Sequence, residues 1–135
     1  MSKIPKIDRF LNINKLIKQK SYILLGPRQT GKSYLIRESL RKHKKYNLLL
    51  KDDFKKLSFD PTLIRKELTS KDKIIIIDEI QRLPELLDEV HYLIEEHGIH
   101  FLLTGSSARK LKSQNINLLG GRARFMNFHP FTLWN

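Results

Sequence analysis

The segment Gly26-Pro27-Arg28-Gln29-Thr30-Gly31-Lys32-Ser33 constrains this chain more than any other, because it fits the pattern G-x-x-x-x-G-K-[ST] in full. A loop of this kind curls so that successive backbone N–H groups point inward at phosphate oxygens. Gly26 and Gly31 allow the turn and the close approach. Lys32 brings a positive charge to the β- and γ-phosphates, and the Ser33 hydroxyl is a candidate magnesium ligand. The loop needs a buried strand before it and a helix after it, with the positive end of that helix aimed at the same phosphates. Both are readable: Tyr22-Ile23-Leu24-Leu25 is an apolar run, and Ser33 to Lys42 carries Leu35, Ile36 and Leu40 on one helical side.

The same alternation continues along the chain. Tyr46 to Leu50 reads as a second strand. Asp60-Pro61 reads as a helix start, with Leu63, Ile64 and Leu68 as its apolar stripe. Ile74-Ile75-Ile76-Ile77 is a third strand, and four β-branched residues without alternation predict burial on both faces, as in a parallel sheet. Pro84 opens a helix with Leu86, Leu87, Val90, Leu93 and Ile94 on one face, stopped by Gly98. His100 to Leu103 is a fourth strand, and Phe125 to Phe128 a fifth. Strands alternating with helices predict an α/β layered domain whose ligand sits at the carboxyl ends of the strands. With 135 residues the chain suits one domain, residues 1–135, with residues 1–20 as a basic N-terminal segment.

The remaining chemistry lies at predicted strand ends. Asp78 and Glu79 follow the isoleucine run. An acid at the tip of a buried strand can hold magnesium, which is the role expected of Asp78, and Glu79 is then placed to orient and deprotonate a water attacking the γ-phosphate. Thr104 ends the fourth strand ahead of Gly105-Ser106-Ser107, and a hydroxyl there can touch the γ-phosphate or serve as an ordinary turn and cap. Gly120-Gly121 precedes Arg122 and Arg124, either of which can stabilise charge building on a phosphate.

These segments together resemble the AAA-type prokaryotic ATPases that carry a C-terminal domain of unknown function. Leu24 to Ser33 looks like their first motif, Ile77-Asp78-Glu79-Ile80-Gln81-Arg82-Leu83-Pro84 their second, and Leu102-Leu103-Thr104-Gly105-Ser106-Ser107 their third. Leu119 to Arg122 and Phe128-His129-Pro130-Phe131 are similar to the segments closing their ATPase core. The resemblance implies a three-layer P-loop fold, a five-stranded parallel sheet of order 5-1-4-3-2 with helices on both faces, and ATP and Mg²⁺ as cofactors. Gly26, Pro27, Arg28, Gln29, Thr30, Gly31, Lys32, Ser33 and Tyr34 are expected at the nucleotide, and Ser33 and Asp78 at the metal. Lys32, Glu79, Thr104 and Arg122 are expected to act in hydrolysis. The resemblance makes Thr104 the γ-phosphate sensor, with Ser106 behind it, and makes Arg122 the finger reaching a neighbouring subunit. Family members continue beyond this core, so the helical lid and effector domain are expected to be missing. Expected partners are a second copy or a separately encoded C-terminal half.

Charge suggests one more partner. The net charge is +12, and residues 1–51 carry 14 Lys/Arg against Asp8 and Glu38 alone, whereas residues 52–96 are net acidic. A basic third attracts nucleic-acid phosphates. The alternative reading is therefore a catalytically weak remnant acting as an ATP-responsive nucleic-acid-binding module. The absence of cysteine excludes disulfides, zinc–thiolate sites and thiol nucleophiles. The longest apolar runs have four residues, against about 20 for a membrane span, so a soluble cytoplasmic protein is expected.

Overall fold

Apolar runs that cannot be solvated on either side become the strands of a sheet in the computed structural model, which describes residue 15 and residues 17–26, 42–106 and 123–127. In chain order the elements are β1 (Ser21–Leu25), β2 (Lys44–Asn47), α1 (Lys51–Phe59), α2 (Leu63–Glu67), β3 (Ile74–Asp78), a 3-10 turn (Ile80–Arg82), α3 (Leu86–His97), β4 (His100–Gly105) and β5 (Ala123–Asn127). All four strand pairings are parallel, and the order is β2-β3-β4-β1-β5. Read from the other edge, this is the order 5-1-4-3-2 that the resemblance implied.

Burial follows the register. Ile23, Leu25, Ile75, Ile77, Phe101 and Leu103 join Leu57, Ile64, Leu86, Leu87, Val90 and Leu93 from the three helices in one core. The intervening Leu24, Ile76 and Leu102 point to the opposite face and are equally buried. Burial on both faces is what a parallel sheet demands, and it explains the unbroken isoleucine run. Among the described residues, no helix is long and apolar enough to cross a membrane.

Several local expectations are corrected. The second strand runs over Lys44–Asn47, not Tyr46 to Leu50, because the Asn47 side chain accepts from the Leu49 N–H at 3.0 Å and bends the chain there. Leu48 still plugs the core, while Leu49 and Leu50 are exposed. Helix α1 was not anticipated. It buries only Leu57, and charge placement suits it, with Asp52 and Asp53 in its first turn and Lys56 in its last. Asp60-Pro61 forms a turn rather than the first turn of a helix. Asp60 Oδ1 accepts from the Thr62 N–H at 3.0 Å and from its hydroxyl at 2.6 Å, and α2 begins at Leu63. Helix α3 spans Leu86–His97, and Gly98 ends it in the left-handed conformation (φ 63°) with its N–H on the Leu93 carbonyl. The helix expected over Ser33 to Lys42 lies outside the described residues except for Lys42, which stands in a turn. The fifth strand starts two residues early, at Ala123.

Candidate nucleotide site

The carboxyl ends of three adjacent strands meet at one place. Leu24 pairs with Thr104 across β1 and β4, and Ile77 pairs with Leu103 across β3 and β4, so Asp78, the last residue of β3, and Thr104, the last but one of β4, follow side by side. The Gly26 N–H donates to the Gly105 carbonyl at 3.1 Å, which ties the first residue of the phosphate-loop motif to the end of β4.

At this meeting point the chain buries polar groups that a core normally excludes. Asp78 is 5% exposed, Glu79 2%, Gln81 6% and Thr104 fully buried. Burial of such groups is tolerated only with hydrogen-bond partners. The Thr104 hydroxyl donates to Asp78 Oδ1 and accepts from the Glu79 N–H at 2.9 Å. Gln81 Nε2 donates to Glu79 Oε1 at 2.6 Å and to Ser106 Oγ at 3.1 Å. Glu79 holds φ 60° and ψ 54°, the only positive φ at a non-glycine residue among those described. The left-handed conformation costs a residue with a side chain on the order of 1–2 kcal/mol and turns the chain sharply out of β3.

Of the expected site residues, the structure brings Asp78, Glu79, Thr104 and Gly26 together. Pro27, Arg28, Gln29, Thr30, Gly31, Lys32, Ser33, Tyr34 and Arg122 lie outside the described residues. Arg124 lies in β5, next to Tyr22 of β1. Thr104 occupies the predicted strand end, and its hydroxyl engages Asp78 and Glu79 from within the interior. The strand-end hydroxyl nearer the surface is Ser106, which is half-buried. Sequence reasoning missed Gln81. The available signal was a polar residue between Ile80 and Leu83, two positions after the acid pair.

Residues 18–135 match the family model described as AAA domain. The chain belongs to that family. Solved structures resemble this AAA domain at low identity, which speaks for the fold alone. A candidate primosome component from Streptococcus pyogenes serotype M3 aligns over 93% of this chain and 80% of its own, at 15% identity and a TM-score of 0.58. Drosophila ORC bound to GC-rich DNA and Cdc6 aligns over 89% of this chain and 53% of its own, at 15% identity and a TM-score of 0.56. Domain III of the Thermotoga maritima replication initiation protein DnaA aligns over 91% of this chain and 62% of its own, at 13% identity and a TM-score of 0.50. The AAA domain thus spans 53% and 62% of two of these three chains. No curated protein matches it. Family and fold together make it an ATPase-type core.

Proposed function

We propose that this AAA domain binds ATP with Mg²⁺ at the meeting point of β1, β3 and β4 and hydrolyses the nucleotide. The observation that carries the reading is the convergence of Gly26, Asp78, Glu79 and Thr104 at three neighbouring strand ends, where open parallel sheets bind their ligands. The donor chemistry fits the group. Asp78 and Ser33 offer only oxygen, which suits a small hard cation. Among the described residues, no three His, Cys, Asp or Glu side chains could hold a metal alone. That agrees with an ion shared between one or two protein oxygens and the nucleotide phosphates.

In this reading the main-chain N–H groups of the Gly26–Ser33 loop and the Lys32 ammonium bind the phosphates. Pro27, Arg28, Gln29, Thr30 and Tyr34 are the remaining residues expected to contact the nucleotide. Ser33 and Asp78 hold Mg²⁺, which supplies charge neutralisation at the phosphates. The Glu79 carboxylate orients water and accepts its proton. Thr104 keeps Asp78 and the Glu79 backbone in register, and the Ser106 hydroxyl is left to meet the terminal phosphate. Arg122 acts across a contact with a second copy, with Arg124 as the alternative.

Two measurements test this. Calorimetry should show Mg·ATP binding that Lys32→Ala removes. Steady-state phosphate release should fall about 100-fold or more in Glu79→Gln with binding intact. No heat from folded wild type, or equal release from Glu79→Gln, refutes the corresponding part.

A second reading, an ATP-responsive nucleic-acid-binding module, is favoured by one observation: Lys15, Lys18, Lys42 and Lys45 of the basic N-terminal third are all exposed. Fluorescence anisotropy with duplex DNA should then show binding that weakens steeply with salt. Absence of binding at low salt removes the idea.

A further inference from the structure

We propose that Gln81 is a positioning residue for Glu79, holding the carboxylate through its side-chain amide and anchoring that amide on Ser106. This inference rests on the hydrolase reading above and gives a role to a residue of the second motif that had none.

The geometry is specific. Gln81 sits in the first turn after β3, in the 3-10 segment Ile80–Arg82, and is 6% exposed. Its Nε2 reaches Glu79 Oε1 at 2.6 Å and Ser106 Oγ at 3.1 Å. Both N–H groups of one planar amide are therefore committed, one to the carboxylate and one to the residue that follows β4. The opposite amide orientation would set Oε1 against the carboxylate, so the charge of Glu79 decides which way the group faces.

Stability does not explain this arrangement. Gln81 Oε1 is buried with no hydrogen-bond partner among the described residues, and an orphaned buried acceptor costs about 1–3 kcal/mol. A methionine would fill the same space without that cost. Glu79 itself carries a left-handed backbone. Two unfavourable features within three residues, both bearing on where one carboxylate points, are what a site that needs orientation produces. A glutamate leaving a strand on a sharp turn keeps several rotatable bonds. A planar donor fixed at its far side to Ser106 removes that freedom, and a misplacement of about 1 Å can cost on the order of 100-fold in rate. The link also connects the base to the strand end where the terminal phosphate is expected. Movement at Ser106 is passed to the Glu79 carboxylate through a single amide group.

The test separates orientation from folding and from binding. Gln81→Met keeps length and apolar volume and removes both donors. Phosphate release by Gln81→Met should show kcat reduced about 10- to 100-fold, with KM for Mg·ATP within about two-fold of wild type. Placed on Glu79→Gln, the same change should reduce kcat no further, because it acts through Glu79. Gln81→Glu, which keeps the shape but presents a carboxylate to Glu79, provides a second variant should the methionine fail to give a native melting transition. An unchanged kcat in either folded variant overturns the proposal and leaves the hydrolase reading intact. So does an additional loss on the Glu79→Gln background. A wild type that binds Mg·ATP but releases no phosphate overturns the hydrolase reading and this proposal with it.

Discussion

Asp78 and Glu89 are buried to nearly the same degree, 5% and 6% exposed, yet the protein treats their charges differently. Glu89 lies in α3 and accepts from Arg65 Nε at 2.9 Å and from Nη2 at 2.7 Å. The same guanidinium stacks over the Tyr92 ring at 4.0 Å. The fork geometry balances the charge of Glu89 and clamps α2 onto α3. Asp78 receives a neutral hydroxyl from Thr104 and stands next to a second buried acid, Glu79. Among the described residues, no basic side chain forms an ion pair with Asp78. A buried carboxylate is stable only when its charge is compensated. In Glu89 the compensation is internal and the residue serves the fold. For Asp78 the described residues supply the Thr104 hydroxyl and no ion pair, and the function proposed above assigns it a cation.

Exchanging each acid for its amide should give opposite results. Asp78→Asn keeps an Oδ1 that can accept from Thr104 and removes the charge. We expect Mg·ATP turnover to fall about 100-fold or more, with the melting temperature unchanged or slightly raised as repulsion from Glu79 is relieved. Glu89→Gln leaves the Arg65 guanidinium without its counter-charge. We expect the melting temperature to fall by several degrees with kcat close to wild type. Calorimetric melting and phosphate release on the same two proteins decide it. A stability loss in Asp78→Asn as large as that in Glu89→Gln removes the distinction between them.

Tyr46 and Glu67 extend the contrast to a carboxylate at the surface. The Tyr46 hydroxyl, on a buried ring in β2, donates to exposed Glu67 Oε1 at 2.6 Å. Burial first, and then this hydrogen bond, push the phenol well above its usual value of 10.0. A raised folded value means that the contribution is complete below pH 10 and is lost as pH rises toward the folded value. Tyr46→Phe should cost about 1 kcal/mol near neutral pH in denaturant titration. It should also abolish the alkaline decline that Tyr46 produces in wild type. An unaltered alkaline limb would assign that decline to other groups.

How much of this was legible before the structure depends on the range of the interaction. The strands were, because a run such as Ile74–Ile77 has to be covered on both faces whatever surrounds it. So was the placement of Asp78 and Thr104 at strand ends, since each directly follows its apolar run. Gly98 revealed its turn because few other residues accept its backbone conformation. The contacts that give the site its character were not legible. Thr104 meets Glu79 across 25 positions, and Gln81 meets Ser106 across 25, so no local period encodes either. The left-handed turn at Glu79 falls on a residue type that does not announce it. Helix α1 escaped notice because it buries so little, with Phe59 at its end 92% exposed. The second strand was shifted because Leu48, Leu49 and Leu50 look like core although only the first is.

The weakest carboxylate contrast is Asp60, and it shows what exposure removes. Lys66 Nζ lies 2.7 Å from Asp60 Oδ2, the same separation as Arg65 Nη2 from Glu89 Oε1. The Lys66 hydrogen bond first, and then the Thr62 hydroxyl, lower the acid from 3.8 to about 2. With a depressed folded value, the contribution is present above about pH 4 and is lost as pH falls through about 2. The Lys66 side chain is 64% exposed, so water and salt screen most of this attraction. Asp60→Asn should therefore shift the melting temperature near neutral pH by less than any substitution above, and the shift should shrink further in high salt. What the substitution should change is the acid limb. Between pH 4 and pH 2 the wild type loses the Asp60 contribution and the variant has none to lose, so their melting curves should converge. If they stay parallel down to pH 2, Asp60 acts through its turn geometry with Thr62 and not through its charge. Proximity between opposite charges would then carry still less weight at this surface than the distance suggests, and burial alone would separate Glu89 from Asp60.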